Sequence, residues 1–129
     1  KAAEQAGQEF RQTYQSQEGV SETESGILYR VLAPGTGSQP KIDDTVVVHY
    51  RGTLVDGTEF DSSIRRGQPA TFSLGGIIPG WQEALQLMNE GARWEVVIPP
   101  ELAYGETGAG GAIGPQETLI FEIELIEVK

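Results

Sequence analysis

The stretch Thr45–Asp61, TVVVHYRGTLVDGTEFD, decides the fold. Its first half is β-branched and alternating, so Val46, Val48 and Tyr50 share one strand face while His49 points to the other. Asp56-Gly57 follows directly and signals a hairpin whose two turn positions both take positive φ. Thr58–Asp61 is then the return strand. Beyond the hairpin, Arg65–Pro69 reads as a basic loop and Thr71–Leu74 as a short strand with Phe72 and Leu74 on one side. Pro79 marks a helix start. Trp81, Ala84, Leu85 and Met88 follow at helical spacing, and Gly91 marks the stop. Arg93–Ile98 is a strand with Trp94, Val96 and Ile98 on one face. Thr118–Val128 closes the chain, with Leu119, Phe121, Ile123 and Leu125 on one face and Glu122 and Glu124 on the other. One apolar face and one wet face are the mark of an antiparallel sheet. The expected fold class is α+β, a twisted antiparallel sheet of about five strands wrapped around one short helix.

Upstream, Ile27–Leu32 reads as the first strand, between a polar loop at Val20–Gly26 and a turn-rich stretch, APGTGSQP, at Ala33–Pro40. Lys1–Glu18 carries no proline, and Ala3, Ala6, Phe10 and Tyr14 form a narrow apolar stripe along a helix. Gly19 stands where a C-cap glycine belongs. An isolated helix of this length is marginal in water. It needs a partner surface, whether this domain, a missing segment or a second chain. The expected organisation is the C-terminal part of a longer linker helix at 1–19, a connection at 20–40 that includes the strand at 27–32, and the main domain at 41–129. Lys1 in place of Met, with no signal-peptide apolar core behind it, reads as a processed chain or a fragment.

The 129 residues are 38% hydrophobic and 22% charged, a globular balance and not a disordered one. A net charge of −10 argues against nucleic-acid partners and against anionic membrane surfaces. No apolar run approaches a membrane span. The absence of cysteine excludes thiolate chemistry, and the single histidine excludes multi-histidine metal sites. His49 lies beside no GxSxG elbow and reads as a satisfied sheet histidine. GETGAGG at Gly105–Gly111 lacks the lysine and Ser/Thr of a phosphate loop and reads as a flexible flap. Asp43, Asp44, Asp56 and Glu59 show no EF-hand spacing and read as solvated charge. Asp61 differs: it ends a hairpin strand with Arg65 and Arg66 close by, where a paired carboxylate stays ionised. Among the aromatics, Tyr50, Phe60, Phe72, Trp81, Tyr104 and Phe121 come from separate segments, and several lie on core-facing positions in this architecture. Phe72 reads as plain core. Trp81 and Tyr104 sit next to loops, and each carries a polar tip that wants a partner when buried.

These residues resemble a family. VVVHYRGTLVDGTEFDSS (Val46–Ser63), IIPGWQEALQLM (Ile77–Met88), ELAYG (Glu101–Gly105) and TLIFEIELIEV (Thr118–Val128) are similar, in the same order, to the signature of FKBP-type peptidyl-prolyl cis–trans isomerases. The helix ahead of ESGILYRVL (Glu24–Leu32) resembles the bacterial Mip-like branch. The resemblance implies a half β-barrel around one helix, with a pocket between them. It implies Trp81 as floor, with Tyr50, Phe60, Phe121, Ile77 and Ile78 as walls. Asp61 and Tyr104 stand at the rims, Arg66 pairs with the carboxylate, and Ile113 is a flap residue that closes over the ligand. Asp61, Tyr104 and Tyr50 are the implied catalytic set, with no cofactor and no metal. Two departures from some relatives, Ala70 after Pro69 and Ala109 in the flap, imply a more open wall. The implied activity is rotation of X–Pro bonds in proline-containing polypeptides. The alternative is a non-catalytic peptide-binding chaperone using the same pocket. The implied ligands include macrolide immunosuppressants (rapamycin, tacrolimus). The implied setting is a homodimer, joined through a missing N-terminal segment, in the periplasm or outer membrane of a Gram-negative bacterium, with the cytoplasm as the alternative.

Overall fold

A computed structural model describes residues 2–105, 107, 108, 113, 114 and 116–129. Helix α1 (Ala2–Gln15) precedes strands β1 (Val20–Glu22), β2 (Leu28–Ala33), β3 (Thr45–Leu54) and β4 (Glu59–Ser62). A single-turn helix α2 (Ser63–Arg66), strand β5 (Ala70–Ser73), helix α3 (Pro79–Leu87), and strands β6 (Arg93–Ile98) and β7 (Leu119–Val128) complete the chain. The strands form one seven-stranded sheet in the order β1-β2-β6-β7-β3-β4, with β5 also paired to β3. Every pairing is antiparallel.

The alternation in β3 is obeyed, with Val46, Val48, Tyr50 and Leu54 buried on the inner face. Leu119, Phe121, Ile123 and Leu125 of β7 and Trp94, Val96 and Ile98 of β6 bury the same way. A bulge sets the phase at the end of β7: Val48 faces Leu125, whereas Val47 faces Glu127, so Val128 returns to the core side opposite Val46. Helix α3 lies across this face and buries Trp81, Ala84 and Leu85, with Met88 just beyond its end. Leu85 and Met88, both fully buried, each contribute about 1.5–3 kcal/mol. The helix can approach because Gly80 has no side chain. A Cβ there would sit 2.6 Å from Ile98 Cγ2.

Several local expectations are corrected. The sheet has seven strands and not about five, because the polar run at Val20–Gly26 supplies β1, pairing Val20 with Arg30. Backbone pairing at an edge needs no apolar pattern. The basic stretch after Asp61 folds as α2, which Ser62 caps by accepting the Arg65 N–H at 3.0 Å and which Gly67 ends at φ 80°. In the hairpin only Gly57 takes positive φ, at 91°. The Gly57 N–H bonds the Leu54 carbonyl at 2.9 Å, so Val55 and Asp56 are the central residues of the turn and Gly57 follows it. Helix α1 stops at Gln15, and Gly19 bends the chain into β1 instead of capping. Gly91 likewise serves the turn into β6, since α3 has already ended at Leu87.

The outer face of the sheet is dry where α1 lies on it. Tyr14, Leu28 and Val97 form a buried cluster with Phe10, Val20 and Ile120 around it. Of the surfaces considered for this helix, the domain itself covers it. The stripe differs by one position: Ala6 is exposed and Gly7 is buried, against Thr118. Tyr14 donates to Glu95 at 2.7 Å beneath the Arg30 guanidinium, 5.2 Å from the ring centre. Burial, then the bond to Glu95, push its phenol well above the usual range. No helix among the described residues is long and apolar enough to cross a membrane.

Gly80→Ala raises helix propensity yet drives a methyl into fully buried Ile98. Denaturant unfolding should show a net loss of about 1–3 kcal/mol. A variant as stable as the parent would mean that α3 can shift on the sheet.

Candidate functional site

The first turn of α3, the loop before it and the inner faces of β3, β4, β5 and β7 do not meet in solid packing. They enclose a cavity of about 450 Å³. Trp81 forms its floor and is only 4% exposed. Tyr50, Phe72 and Phe121 stand edge-on to the indole, with ring centres 5.1, 5.5 and 5.1 Å away and interplanar angles of 84–85°. Phe60 meets Phe121 in the same way at 5.5 Å. Edge-to-face contact sets the positive rim of one ring against the negative face of another, so it holds each ring at a fixed tilt. Gly52 of β3 makes room for this arrangement, since a Cβ there would lie 2.6 Å from Phe60 Cζ and 2.8 Å from Phe121 Cε1. The Trp81 Nε1–H is buried and has no acceptor among the described residues.

One rim is polar. Tyr50 donates its hydroxyl to Asp61 Oδ2 at 2.5 Å. Arg66 Nη1 donates to Asp61 Oδ1 at 2.5 Å, and Arg66 Nη2 donates to the Tyr50 oxygen at 3.1 Å. Helix α2 makes this possible by turning the chain so that Arg66 reaches back to the strand it has just left. Burial acts to raise the Asp61 carboxyl. The hydrogen bonds from Tyr50 and Arg66, with the arginine charge, outweigh it, and Asp61 titrates below its ordinary value. Burial and the bond to Asp61 move the Tyr50 phenol upward. Both groups are therefore fixed in one protonation state near neutrality, Asp61 ionised and Tyr50 neutral.

The remaining residues fall as follows. Ile77 and Ile78 line the cavity from the loop before α3. Gln82 holds that loop by donating to the Ile77 carbonyl at 2.8 Å. Ile78 stands at the N-cap of α3, and its N–H has no partner among the described residues. Tyr104 also lines the cavity and is 40% exposed. Ile113 is buried with the main core at 7% exposure and is not among the cavity-lining residues. Ala70 opens β5 opposite Val48 and also does not line the cavity. Ala109 lies outside the described residues. His49 is held by the sheet as expected, its Nδ1 2.9 Å from Ser63 Oγ. Phe72 is not plain core: it is half-buried and walls the cavity beside Trp81. Gly76, the other lining residue not singled out from the sequence, contributes backbone only. A four-residue strand of which the cavity borrows one side chain looks the same in sequence whether that side chain meets packing or space.

Residues 36–126 match the model of the FKBP-type peptidyl-prolyl cis-trans isomerase family. The chain is 53% identical over 122 residues to the FKBP-type 22 kDa peptidyl-prolyl cis-trans isomerase of Escherichia coli (strain K12), covering 95% of this chain and 59% of that one. It is 52% identical over 123 residues to the outer membrane protein MIP of Legionella longbeachae, covering 95% and 53%. The crystal structure of FkpA from Escherichia coli superposes with a TM-score of 0.96 at 48% identity, covering 99% of this chain and 60% of that one. The chain thus spans little more than half the length of these curated relatives. With its sheet wrapped on α3, an indole-floored cavity between them and a match over residues 36–126, the chain belongs to the FKBP-type peptidyl-prolyl cis-trans isomerase family.

Proposed function

We propose that this chain accelerates rotation about X–Pro bonds by binding proline in the cavity over Trp81, with no covalent intermediate. The observation that carries this reading is an aromatic hollow, floored by a buried indole, beside a carboxylate locked by Tyr50 and Arg66. Rotation meets a barrier of about 18–20 kcal/mol because amide resonance is lost on twisting. The planar amide is more charge-separated than the twisted one, so a water-poor apolar site favours the twisted form relative to water. Lowering the barrier by about 5–8 kcal/mol corresponds to about four to six decades of rate.

Each residue then has a part. Trp81, Phe60, Phe72 and Phe121 pack the proline ring, and Ile77 and Ile78 close the side. The Ile78 N–H and the Tyr104 hydroxyl donate to substrate carbonyls flanking the bond. Asp61 orients Tyr50 and sets a fixed negative charge against the rotating unit, while Arg66 keeps that carboxylate ionised. The same apolar hollow suits macrolides of the rapamycin and tacrolimus type. Helix α1 is the end of a longer helix leading to a dimerising segment, and the protein works in the envelope of a Gram-negative bacterium. A relative named as an outer membrane protein supports that setting.

Catalysis at sub-stoichiometric protein, measured on a short proline peptide, tests the reading against simple peptide holding. Turnover faster than the uncatalysed rate is expected, with inhibition by rapamycin, and binding without turnover would reduce the protein to a peptide-holding module. Asp61→Leu should lower kcat/KM about tenfold or more while the fold persists. Wild-type turnover from that variant would remove the carboxylate from the mechanism. Trp81→Ala should weaken ligand binding, and unchanged affinity would contradict its place as floor. With Asp61 held below its ordinary value and Tyr50 above, neither group changes charge between about pH 5 and pH 9. Neither should impose a limb on the pH–rate profile there. The stabilisation Asp61 supplies is complete above the ordinary carboxylate range and is lost as pH falls through its lowered value. Urea unfolding at pH 6 and near pH 3 should show that loss in the parent and not in Asp61→Leu.

A further inference from the structure

We propose that Ser63 is a positioning residue for the Tyr50–Asp61–Arg66 lock, holding the backbone of Tyr50 while the other two hold its side chain. This rests on the isomerase reading above and adds a residue to it. On one edge of β3, Val48 is the last residue paired with β5 and Arg51 the first paired with β4. His49 and Tyr50 fall in the gap, so on this edge neither has a strand partner. Ser63 fills it. Its side chain is fully buried, its Oγ accepts the Tyr50 N–H at 2.7 Å, and the same oxygen lies 3.4 Å from the Tyr50 carbonyl. A buried N–H without an acceptor is costly, so one hydroxyl here stands in for the ladder. His49 Nδ1 at 2.9 Å gives that hydroxyl a further partner and limits its rotation.

Ser63 is also the first residue of α2, the turn that returns Arg66 to Asp61. The chain from Asp61 to Arg66 thus grips Tyr50 at both ends: Ser63 at the main chain, Asp61 and Arg66 at the phenol. A closed ring of this kind transmits a displacement. If the main-chain contact is lost, β3 and α2 are free to separate, and the phenol loses its aim at Asp61 even though Asp61 and Arg66 are unchanged. The floor at Trp81, set by α3, is not part of the ring.

The test is a double-mutant cycle with Ser63→Ala and Asp61→Leu, read as kcat and KM on a proline peptide with the folded fraction checked by circular dichroism. Ser63→Ala should lower kcat about tenfold and change KM less than about twofold. In the Asp61→Leu background the same substitution should cost less than about twofold, because the lock it serves is already gone. If Ser63→Ala does not fold, Ser63→Cys fills the site with a somewhat larger sulfur that is a poor acceptor, and the same pattern is expected. Unchanged kcat in a less stable Ser63 variant, or losses that multiply across the cycle, would overturn the proposal and leave Ser63 a purely structural residue. A wild-type chain without turnover would instead overturn the isomerase reading, and this role with it.

Discussion

Everything at the site depends on how one indole is held. Trp81 lies at the first turn of α3, where Gly80 lets the helix come down onto Ile98. Three aromatic rings from three strands then meet it edge-on. Edge-to-face rings cannot close flat over one another, so the cluster is rigid and yet leaves space above the indole. A core of aliphatic side chains would have collapsed into that space, because interiors pack to nearly uniform density. The cavity is therefore a consequence of ring geometry, backed by a glycine, Gly52, that lets Phe60 and Phe121 lean together.

The polar rim follows a different rule. A carboxylate beside an apolar cavity is disfavoured by burial, and Asp61 stays ionised because Tyr50 and Arg66 both donate to it. The donors are placed by main-chain devices: the Ser62 cap, the left-handed Gly67 and the Ser63 hydroxyl at the Tyr50 N–H. One short turn of helix thus connects backbone pairing to the electrostatics of the site. The fixed charge asks for no proton transfer, which suits the bond rotation proposed for this site.

Helix α1 shows how the outer face of the same sheet is used. Its contacts with Leu28, Val97 and Ile120 replace the water expected there, and Gly7 brings it against Thr118, one residue before β7. Tyr14 serves both needs of such a contact: its ring buries, and its hydroxyl finds Glu95.

Periodicity was enough to read the inner faces of β3, β6 and β7, the buried face of α3, and the α+β class, because burial on one side imposes a spacing on side chains wherever an element occurs. Residue chemistry singled out Asp61 and Trp81, and the motif resemblance supplied the family, Trp81 as floor and Arg66 as the partner of the carboxylate. Other features depended on which segments meet. Strand β1 and helix α2 come from polar stretches whose hydrogen bonds carry no hydrophobic pattern. The Asp56-Gly57 turn kept its place but changed its type, because the preference of a dipeptide does not state how the flanking strands align. Gly7 takes the place of Ala6 in the buried stripe, where Thr118 leaves no room for a side chain. Phe72 became a cavity wall and Ser63 a backbone partner for Tyr50 only because distant segments converged. Local sequence records which side of an element is apolar, whereas assembly alone settles whether that side faces another side chain, an unpaired backbone group or an empty space.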